Sequence, residues 1–472
     1  MKETYIKKIL QANVYDVAIE SPLEKARCLS QRYHNQIWLK REDLQPVFSF
    51  KLRGAYNKIS KLSIEEKQKG IITASAGNHA QGVALAAEKL GLKALIVMPS
   101  TTPEIKVNSV RARGVDVVLY GDTFDSAFAH SIELQKKHGY TYIHPYDDDE
   151  VIAGQGTIGM EILRQAQKPL DAVFIPVGGG GLIAGIAAYI KYVSPQTRVI
   201  GVEAEDSACF KAALSAGSRV KLPFVGIFAD GVAVSQMGEK TFMLAKDCVD
   251  EVITATSDEI CAAIKDIFED TRSVAEPAGA LAIAGLKNYL QQNPGTNKNF
   301  VAIVSGANIN FSRLRYISEC TELGEKREAL LAVSIPEKPG SFRHFCHLLG
   351  KRNITEFNYR YASKEVAHVF VGVQMNNRTT ELSELTTTLS QQGYGVLDLS
   401  DNEMSKLHVR HLVGGHAPTG VEDEIVFRFE FPERPGALMD FLNGLGSNWN
   451  ISLFHYRNHG SAFGRVLAGF QA

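Results

Sequence analysis

Residues 172–185 read Ala-Val-Phe-Ile-Pro-Val-Gly-Gly-Gly-Gly-Leu-Ile-Ala-Gly, an apolar run that enters four consecutive glycines and continues into a helical pattern. The run Ala172–Val177 is too uniformly apolar for a strand with one solvent-exposed face, so it predicts a parallel strand buried on both faces. Glycines let the backbone approach a ligand closely, and N–H groups at the start of the following helix can bind an anion. The stretch therefore predicts an α/β fold with a phosphate-sized anion site after a strand.

The same alternation of strand and helix extends to both sides, from about residue 35 to 310. Further runs typical of buried strands are Ala94–Met98, Val115–Tyr120, Arg198–Val202, Glu251–Ala255 and Phe300–Val304. Helical patterns lie between the strands, at Asn78–Leu90, Pro103–Arg113, Phe124–Lys137, Leu182–Lys191 and Ser257–Glu269. This order of elements predicts an α/β domain with mostly parallel sheets.

The C-terminal part contains an internal repeat. Residues 335–360 (IPEKPGSFRHFCHLLGKRNITEFNYR) and 431–457 (FPERPGALMDFLNGLGSNWNISLFHYR) share a Pro-Glu-basic-Pro-Gly turn, an amphipathic helix, Asn-Ile and Phe-x-Tyr-Arg. Each copy reads as strand, turn, helix, strand, the opening of a βαββαβ unit. The first copy continues through a strand (Ala367–Met375), a helix (Thr380–Gln391) and a strand (Gly393–Leu399), whereas the second ends after a strand at Gly464–Phe470. We expect a catalytic domain at 1–322 and two α+β repeats at 323–415 and 416–472, the second incomplete.

Composition excludes several classes of function. The formal net charge of -1 leaves no basic surface for a nucleic-acid partner. Six cysteines without a C-x-x-C pair argue against a zinc site or a disulfide scaffold, so we expect no metal. The sequence shows no apolar signal core at its start and no apolar stretch of membrane-spanning length. We therefore expect a cytoplasmic protein with small-molecule ligands and no membrane partner.

Lys51 is the first candidate catalytic residue. It lies between Phe50 and Leu52 in Ser49-Phe-Lys-Leu-Arg-Gly54, at the expected start of a helix. A lysine taken at random is a solvated surface charge, but one flanked by Phe and Leu is expected to be partly desolvated. Burial lowers the pKa of an amine and favours its neutral form, which can form a Schiff base.

A second anion site is predicted where an apolar strand runs into Ser75-Ala-Gly-Asn78 and a helix begins at about His79. Backbone N–H groups at such a turn can bind an anion, and the side chains of Ser75 and Asn78 can add donors. The alternative is a capped turn without a ligand. A single histidine at a helix start is more often structural than catalytic.

The glycine run also matches a dinucleotide-binding fingerprint. Gly179, Gly181 and Ala184 satisfy G-x-G-x-x-A, and Glu203 ends the next strand at roughly the spacing of a ribose contact. That interpretation leaves Lys51 and Ser75–Asn78 unexplained. A lysine, a seat for a carboxylate and a seat for a phosphate are together what an amino-acid substrate and pyridoxal phosphate require.

Four motifs, taken together, resemble the signature of biosynthetic threonine dehydratases: Ser49-Phe-Lys-Leu-Arg-Gly54, Ser75-Ala-Gly-Asn-His-Ala-Gln-Gly82, the glycines 178–181 and Val304-Ser-Gly-Ala-Asn308. They occur in the order and spacing of that family, and the resemblance extends from about residue 10 to the C-terminus. The family belongs to the fold-type II pyridoxal-phosphate enzymes, with serine racemase, cysteine synthase and the tryptophan synthase β subunit. The resemblance implies a fold-type II catalytic domain followed by two ACT-like regulatory repeats.

The resemblance also implies how the cofactor, pyridoxal 5′-phosphate, would be bound. Lys51 would hold it as a Schiff base and then carry the substrate α-proton, Phe50 would pack beside the ring, and Asn78 would hydrogen-bond the 3′ oxygen. Ser305 would face the pyridine nitrogen, where a neutral hydroxyl suits β-elimination better than transamination. The phosphate would be bound by the glycine run and the residue after it: Gly178, Gly179, Gly180, Gly181 and Leu182.

For the substrate, the resemblance implies that the carboxylate is bound by Ser75, Ala76, Gly77, Asn78 and His79. Serine racemases have a second serine at the position of Ala76, and its hydroxyl is the acid or base on the opposite face. Alanine cannot transfer a proton, so racemisation should be weak here. Glu276, in Ala275-Glu-Pro-Ala-Gly-Ala280, belongs to a segment typical of the cofactor's surroundings but has no assigned role.

The reaction implied is the conversion of L-threonine to 2-oxobutanoate and ammonia, the first committed step towards isoleucine. Serine dehydration or β-replacement on the same fold is the nearest alternative. A nicotinamide-dependent oxidoreductase and a non-catalytic amino-acid sensor are the others. In the family, isoleucine inhibits, valine opposes it, and the active form is a homotetramer.

Candidate effector-binding residues follow from the repeated Phe-x-Tyr-Arg motif: Phe357, Tyr359, Arg360, Phe454, Tyr456 and Arg457. Each copy offers an aromatic ring, a hydroxyl and a cation, which could enclose an amino acid. They could equally be core residues of a packing module without a ligand.

Overall fold

The computed structural model describes residues 2–324, 327–336, 344–345, 348–350, 352, 354–361, 366–375, 377–402, 404–405, 424–432, 450–457 and 463–471. The side chains of residues 2, 319, 322–324, 354–361, 367, 379, 424, 450–457, 464, 466, 470 and 471 are not described. By its internal contacts the chain divides into two units, Met1–Phe311 and Ser312–Ala472. Within the described part of the chain, no helix has the length and apolarity needed to span a bilayer.

The first unit alternates strands and helices, as the sequence predicts. Its strands are β1 (Leu23–Lys25), β2 (Gln36–Arg41), β3 (Ile71–Ala74), β4 (Ala94–Met98), β5 (Asp116–Leu119), β6 (Thr141–Tyr142), β7 (Ala172–Pro176), β8 (Arg198–Ala204), β9 (Glu251–Ala255) and β10 (Asn299–Val304). Its helices are α1 (Lys2–Leu10), α2 (Arg27–Tyr33), α3 (Lys51–Ser60), α4 (Ile64–Lys69), α5 (Asn78–Leu90), α6 (Glu104–Arg111), α7 (Phe124–His138), α8 (Asp149–Gln165), α9 (Gly181–Val193), α10 (Cys209–Ala216), α11 (Glu239–Ala245), α12 (Ser257–Thr271) and α13 (Pro277–Gln292).

Two sheets organise this unit. The larger has the strand order β1-β2-β10-β7-β8-β9, and only its edge strand β1 is antiparallel to its neighbour. The smaller, β5-β4-β3-β6, is parallel throughout. Strands β7 and β10 are buried along their whole length. This burial on both faces is the reason for their uniformly apolar sequences, and it confirms the predicted α/β architecture with parallel sheets.

Helix α8 is held between α3 and α9 by close backbone contacts. A Cβ atom added to Gly54 of α3 would lie 2.7 Å from the carbonyl oxygen of Val151, and one added to Gly185 of α9 would lie 2.4 Å from that of Ile152. Neither distance is compatible with a side chain, so glycine is required for these helices to pack at this separation. Helix α3 begins at Lys51 and α9 begins at Gly181, the last glycine of the run, so this packing fixes both segments relative to each other.

The second unit consists of α14 (Arg313–Gly324), β11 (Glu328–Pro336), β12 (Ile354–Tyr361), β13 (Val366–Gln374), α15 (Arg378–Gln391), β14 (Gly395–Asp398), β15 (Glu424–Pro432), β16 (Asn450–Arg457) and β17 (Phe463–Gln471) in its described part. The first four strands form an antiparallel sheet in the order β12-β13-β11-β14, and the last three form another in the order β15-β17-β16. In both sheets the third strand of the repeat pairs with the first and the second. The α+β repeat predicted from the sequence is thus seen in the strand pairing of both copies.

Candidate active site

The residues predicted to hold the cofactor line one cavity. Lys51 comes from the start of α3, Asn78 from the start of α5, and Ser305 directly follows β10. The loop from β7 to α9 supplies the glycines. The cavity-lining residues among those predicted are Phe50, Lys51, Asn78, Gly178, Gly179, Gly180, Gly181, Leu182 and Ser305.

Lys51 is a desolvated amine. Its Nζ donates a hydrogen bond of 3.1 Å to the carbonyl oxygen of Pro145 and lies 5.3 Å from the centre of the Phe50 ring. Burial lowers the pKa of Lys51 to about 8, with the carboxyl of Glu276 acting in the opposite direction. A large fraction of the amine is therefore neutral near this pH, and a neutral amine is the nucleophilic and basic form.

The glycine run forms a tight turn that a residue with a side chain could not adopt. Gly180 precedes α9 with φ 92°, a left-handed conformation that favours glycine. A Cβ atom at Gly179 would lie 2.3 Å from the ring of Tyr146. The carbonyl of Gly179 accepts a hydrogen bond of 2.7 Å from Oγ1 of Thr241, which holds the turn in place. The N-terminus of α9 thereby faces the cavity with no side chain of the turn in between, as a bound phosphate requires.

Asn78 belongs to a polar chain beside the cavity. Its Nδ2 donates a hydrogen bond of 2.6 Å to Oε1 of Glu276, and its Oδ1 accepts one of 2.6 Å from Nδ2 of Asn308. Burial raises the pKa of Glu276 to about 7, and the negative charge of Asp230 adds to the rise, whereas the hydrogen bond from Asn78 opposes it. Glu276 therefore changes its charge near neutral pH.

Only one of the residues predicted to bind the substrate carboxylate lines the cavity. Asn78 lines it, whereas Ser75, Ala76, Gly77 and His79 are not among the lining residues. Oγ of Ser75 accepts hydrogen bonds of 3.3 Å from the backbone N–H groups of Gly77 and Ala80, so it caps the turn. The ring of His79 is buried, with Nε2 3.0 Å from the carbonyl oxygen of Ile143. Burial, aided by the charge of Lys51, lowers the pKa of His79 to about 3, so the ring is neutral at physiological pH.

Glu203 is not available to a ribose. Its two carboxylate oxygens accept hydrogen bonds of 2.7 and 2.8 Å from the backbone N–H groups of Phe210 and Lys211 at the start of α10. The side chain is fully buried, and desolvation raises its pKa to about 7. Glu203 thus caps a helix, and the dinucleotide interpretation loses the acidic residue on which it depended.

Three of the cavity-lining residues deserve mention because sequence reasoning gave them no role: Tyr146, Glu276 and Val232. Tyr146 packs against Gly179 and Gly181, and burial raises its pKa to about 12. Nothing in the local sequence of Tyr146 or Val232 marks them. Glu276, by contrast, lies in a segment typical of the cofactor's surroundings, directly before the proline that begins α13.

Comparison with known proteins agrees with this geometry. The sequence model of the family described as "Pyridoxal-phosphate dependent enzyme" matches residues 14–306, and that of the "C-terminal regulatory domain of Threonine dehydratase" matches 319–409 and 415–472. The biosynthetic L-threonine dehydratase of Burkholderia multivorans is 55% identical over 470 residues, which cover 99% of this chain and 92% of the relative.

The chain belongs to the biosynthetic threonine dehydratase family. The Escherichia coli member is 56% identical, over 99% of this chain and 90% of its own length. Among solved structures, the processed form of threonine deaminase isoform 2 from Solanum lycopersicum has a TM-score of 0.66 and 55% identity, and covers 68% of this chain and 93% of its own. As a threonine dehydratase family member, this protein is a pyridoxal-phosphate-dependent ammonia-lyase of fold type II with a C-terminal regulatory region.

The residues of this threonine dehydratase fit the cofactor. The cavity combines a desolvated lysine with a side-chain-free turn at a helix N-terminus, which match an aldehyde and a phosphate. Ser305 follows β10 directly and is 3% exposed, with Oγ donating to the carbonyl of Ala278 at 3.2 Å. The individual roles predicted for these residues remain predictions.

The predicted effector-binding residues lie on two strands of this family's regulatory region. Phe357, Tyr359 and Arg360 lie on β12, and Phe454, Tyr456 and Arg457 lie on β16. Backbone pairing sets Tyr359 opposite Val369 and Tyr456 opposite Val466, so both tyrosines occupy corresponding positions of their sheets. The side chains of all six lie outside the described part of the structure.

Proposed function

We propose that this protein converts L-threonine to 2-oxobutanoate and ammonia, and that isoleucine regulates it through the C-terminal repeats. The observation that carries the reaction is the convergence of Lys51, the glycine run and Ser305 on one cavity, in a chain similar over nearly its whole length to biosynthetic threonine dehydratases. Serine dehydration and β-replacement would use the same cavity, but the curated relatives favour threonine.

The mechanism depends on where this chain holds the cofactor and moves protons. Pyridoxal phosphate, when bound, supplies an electron sink for the negative charge that develops at the substrate Cα. Lys51 would bind its aldehyde carbon, and the glycine run would bind its phosphate. In the reaction Nζ of Lys51 takes the α-proton, a role that suits an amine with a pKa near 8. The β-hydroxyl leaves as water, and the enamine then takes up water to give 2-oxobutanoate and ammonia.

Two neutral residues favour elimination over competing reactions. The hydroxyl of Ser305 carries no negative charge to stabilise a protonated pyridine ring, which limits delocalisation and disfavours transamination. Ala76 has no group that could deliver a proton to the opposite face of the substrate. We therefore expect elimination to exceed racemisation of serine by a wide margin.

A keto-acid assay of the purified protein tests this proposal. L-Threonine and L-serine are compared as substrates, each with and without added isoleucine, and the enantiomers of unreacted serine are separated. Formation of 2-oxobutanoate from threonine supports the proposal. Pyruvate from serine alone would assign the protein to serine dehydration, and no keto acid from either substrate would contradict the proposed reaction.

Regulation is the part of the proposal that the regulatory-domain match at 319–409 and 415–472 supports. We propose that isoleucine inhibits, that valine opposes it, and that the protein acts as a homotetramer in the cytoplasm. The domain limits 1–322, 323–415 and 416–472 belong to the same proposal.

A further inference from the structure

Glu276 lies in the cavity but has no part in the mechanism above, although it touches Asn78, the residue predicted to hydrogen-bond the 3′ oxygen of the cofactor. Its side chain is 4% exposed, and Oε1 accepts the 2.6 Å hydrogen bond from Nδ2 of Asn78. The two residues are 198 positions apart in the chain, so the fold alone creates this contact. A buried carboxyl is costly unless polar groups compensate it, which indicates that this one serves a purpose.

Asn308 fixes the orientation of the Asn78 amide from the other side. Nδ2 of Asn308 donates to Oδ1 of Asn78 at 2.6 Å and to the carbonyl oxygen of Val47 at 2.8 Å. If the Asn308 amide were turned over, its oxygen would face the Val47 carbonyl, and two acceptors would repel each other. The amine end of Asn308 must therefore face both acceptors, which leaves Oδ1 of Asn78 towards Asn308 and Nδ2 towards Glu276.

The result is that Asn78 offers the cavity a donor. An asparagine amide carries two N–H groups, and the bond to Glu276 uses one of them. Because Asn78 lines the cavity, the second N–H can serve a ligand there. A reversed amide would offer an oxygen instead, which would repel the 3′ oxygen of pyridoxal phosphate, itself an acceptor.

We infer that Glu276 is a positioning residue that, with Asn308, keeps the amine end of Asn78 towards the 3′ oxygen of pyridoxal phosphate. This rests on the proposed function in one respect, the contact between Asn78 and the cofactor. Glu276 acts through Asn78, so its effect on cofactor binding disappears when Asn78 is absent.

A double-mutant cycle tests the inference. The dissociation constant of pyridoxal phosphate is measured by titrating the apoprotein of the wild type, Asn78→Ala, Glu276→Ala and the double variant, with thermal unfolding of each apoprotein as a check of the fold. Each single replacement should weaken binding by roughly tenfold, the size of one hydrogen bond, and the double variant should bind no more weakly than Asn78→Ala. Glu276→Gln keeps an acceptor oxygen and should stay within about threefold of the wild type.

The matched control is Asp230→Asn, because Asp230 also places negative charge near Glu276 but pairs with Lys106 at 3.0 Å. It should leave cofactor affinity unchanged. If it weakens binding as much as Glu276→Ala does, charge rather than orientation is responsible and the inference fails. The inference also fails if the double variant weakens pyridoxal-phosphate binding by the product of the two single effects. It fails as well if Glu276→Ala binds pyridoxal phosphate as tightly as the wild type does.

Two further outcomes have a clear meaning. An Asn78→Ala protein with unchanged affinity would remove Asn78 from the cofactor site and overturn the inference, whereas the keto-acid assay would still support the proposed reaction. Should Glu276→Ala fail to fold, Asn308→Ala takes its place in the cycle, because it releases the other end of the same amide and should show the same non-additivity.

Discussion

Lys51 has two properties that the proposed chemistry requires, a position on the cavity and a pKa lowered by burial. Replacing Lys51 with alanine should abolish covalent attachment of the cofactor, because no other lysine lines the cavity among the described residues. Threonine turnover should fall by several orders of magnitude, since the same amine moves the α-proton. The measurements are retention of cofactor after borohydride reduction and the keto-acid assay.

Lys58→Ala is the control, because Lys58 lies on the same helix and pairs with Asp148 at 2.8 Å. It should keep the reducible cofactor and turnover near the wild-type level. A Lys51→Ala protein that turns over threonine at that level would show that the lysine has been assigned wrongly.

Glu276 should make the stability of the apoprotein depend on pH. The folded state raises the pKa of this carboxyl from 4.5 to about 7, so its favourable contribution is complete below pH 4.5 and is lost as the pH rises through 7. Glu276→Gln cannot ionise and should avoid that loss. The free energy of unfolding of Glu276→Gln, relative to the wild type, should therefore rise by up to about 3 kcal/mol between pH 5 and pH 8. Urea denaturation at both pH values measures this. If the two proteins differ in free energy of unfolding by the same amount at pH 5 and pH 8, the pKa of Glu276 is not raised by folding.

The strand–turn–helix formed by β7, the glycine run and α9 is the element on which phosphate binding depends. Gly179→Asp would place a side chain against the ring of Tyr146 and a negative charge beside the expected phosphate. Affinity for pyridoxal phosphate should fall by at least about a hundredfold, since repulsion adds to steric exclusion. Gly295→Asp is the control, because it adds the same charge at a position where an added Cβ atom would meet no other residue within 4 Å. Retention of cofactor by both variants would mean that the phosphate binds elsewhere.

Helix α3 is anchored through Arg53, two residues after Lys51, which belongs to a buried network of ion pairs. The guanidinium of Arg53 donates to Glu42 at 2.8 Å and to Glu161 at 2.5 Å, Lys40 contacts Glu161 at 2.6 Å, and all four side chains are fully buried. Burial alone would raise the pKa of Glu161, but Arg53 and Lys40 together hold that pKa below its ordinary value. The network thus ties the first turn of α3 to the end of β2 and to α8.

Arg53→Met should lower the free energy of unfolding by about 3–5 kcal/mol, because it leaves buried carboxylates without their partner. The same substitution at the exposed pair Arg113–Glu88 should cost at most about 1 kcal/mol. Urea denaturation at pH 7 compares the two variants. Equal losses would show that the buried network is not what fixes α3.

At the scale of the whole molecule, the repeats are expected to transmit the level of isoleucine. An effector changes activity only through different affinities for two states, with a typical coupling of about 1–3 kcal/mol. Tyr359→Ala and Tyr456→Ala should each weaken inhibition by isoleucine and leave turnover without isoleucine nearly intact. Tyr192→Ala is the control, since it removes an exposed tyrosine from α9. Coinciding isoleucine titrations for the tyrosine variants and the wild type would move the effector site elsewhere.

Removal of residues 325–472 should give an active protein that ignores isoleucine. The compact unit Met1–Phe311 is continuous in the chain and ends before residue 325, so this cut leaves it whole. Turnover with and without isoleucine is the measurement. A shortened protein that is still inhibited would place the effector site in the catalytic unit.

The sequence by itself determined the elements and the class of chemistry. The predicted limits of Asn78–Leu90 and Glu251–Ala255 match α5 and β9 to the residue, because hydrophobic periodicity and helix ends are local properties. The glycine run between a buried strand and a helix likewise predicted a tight turn. Glycine has no Cβ atom, so a run of glycines indicates a backbone conformation that other residues could not adopt.

Only the tertiary structure decided which side chains meet. The contact of Asn78 with Glu276, that of Lys51 with Pro145 and the packing of Tyr146 on Gly179 join segments far apart in the chain. The same holds for two side-chain caps: Oγ of Ser75 caps a turn, and the carboxylate of Glu203, which the dinucleotide alternative would assign to a ribose, caps a helix. Local sequence cannot distinguish a cap from a ligand contact, because both need the same donors and acceptors at a helix start. The distinction depends on which strand ends the sheets bring to one cavity, and that is a property of the folded chain.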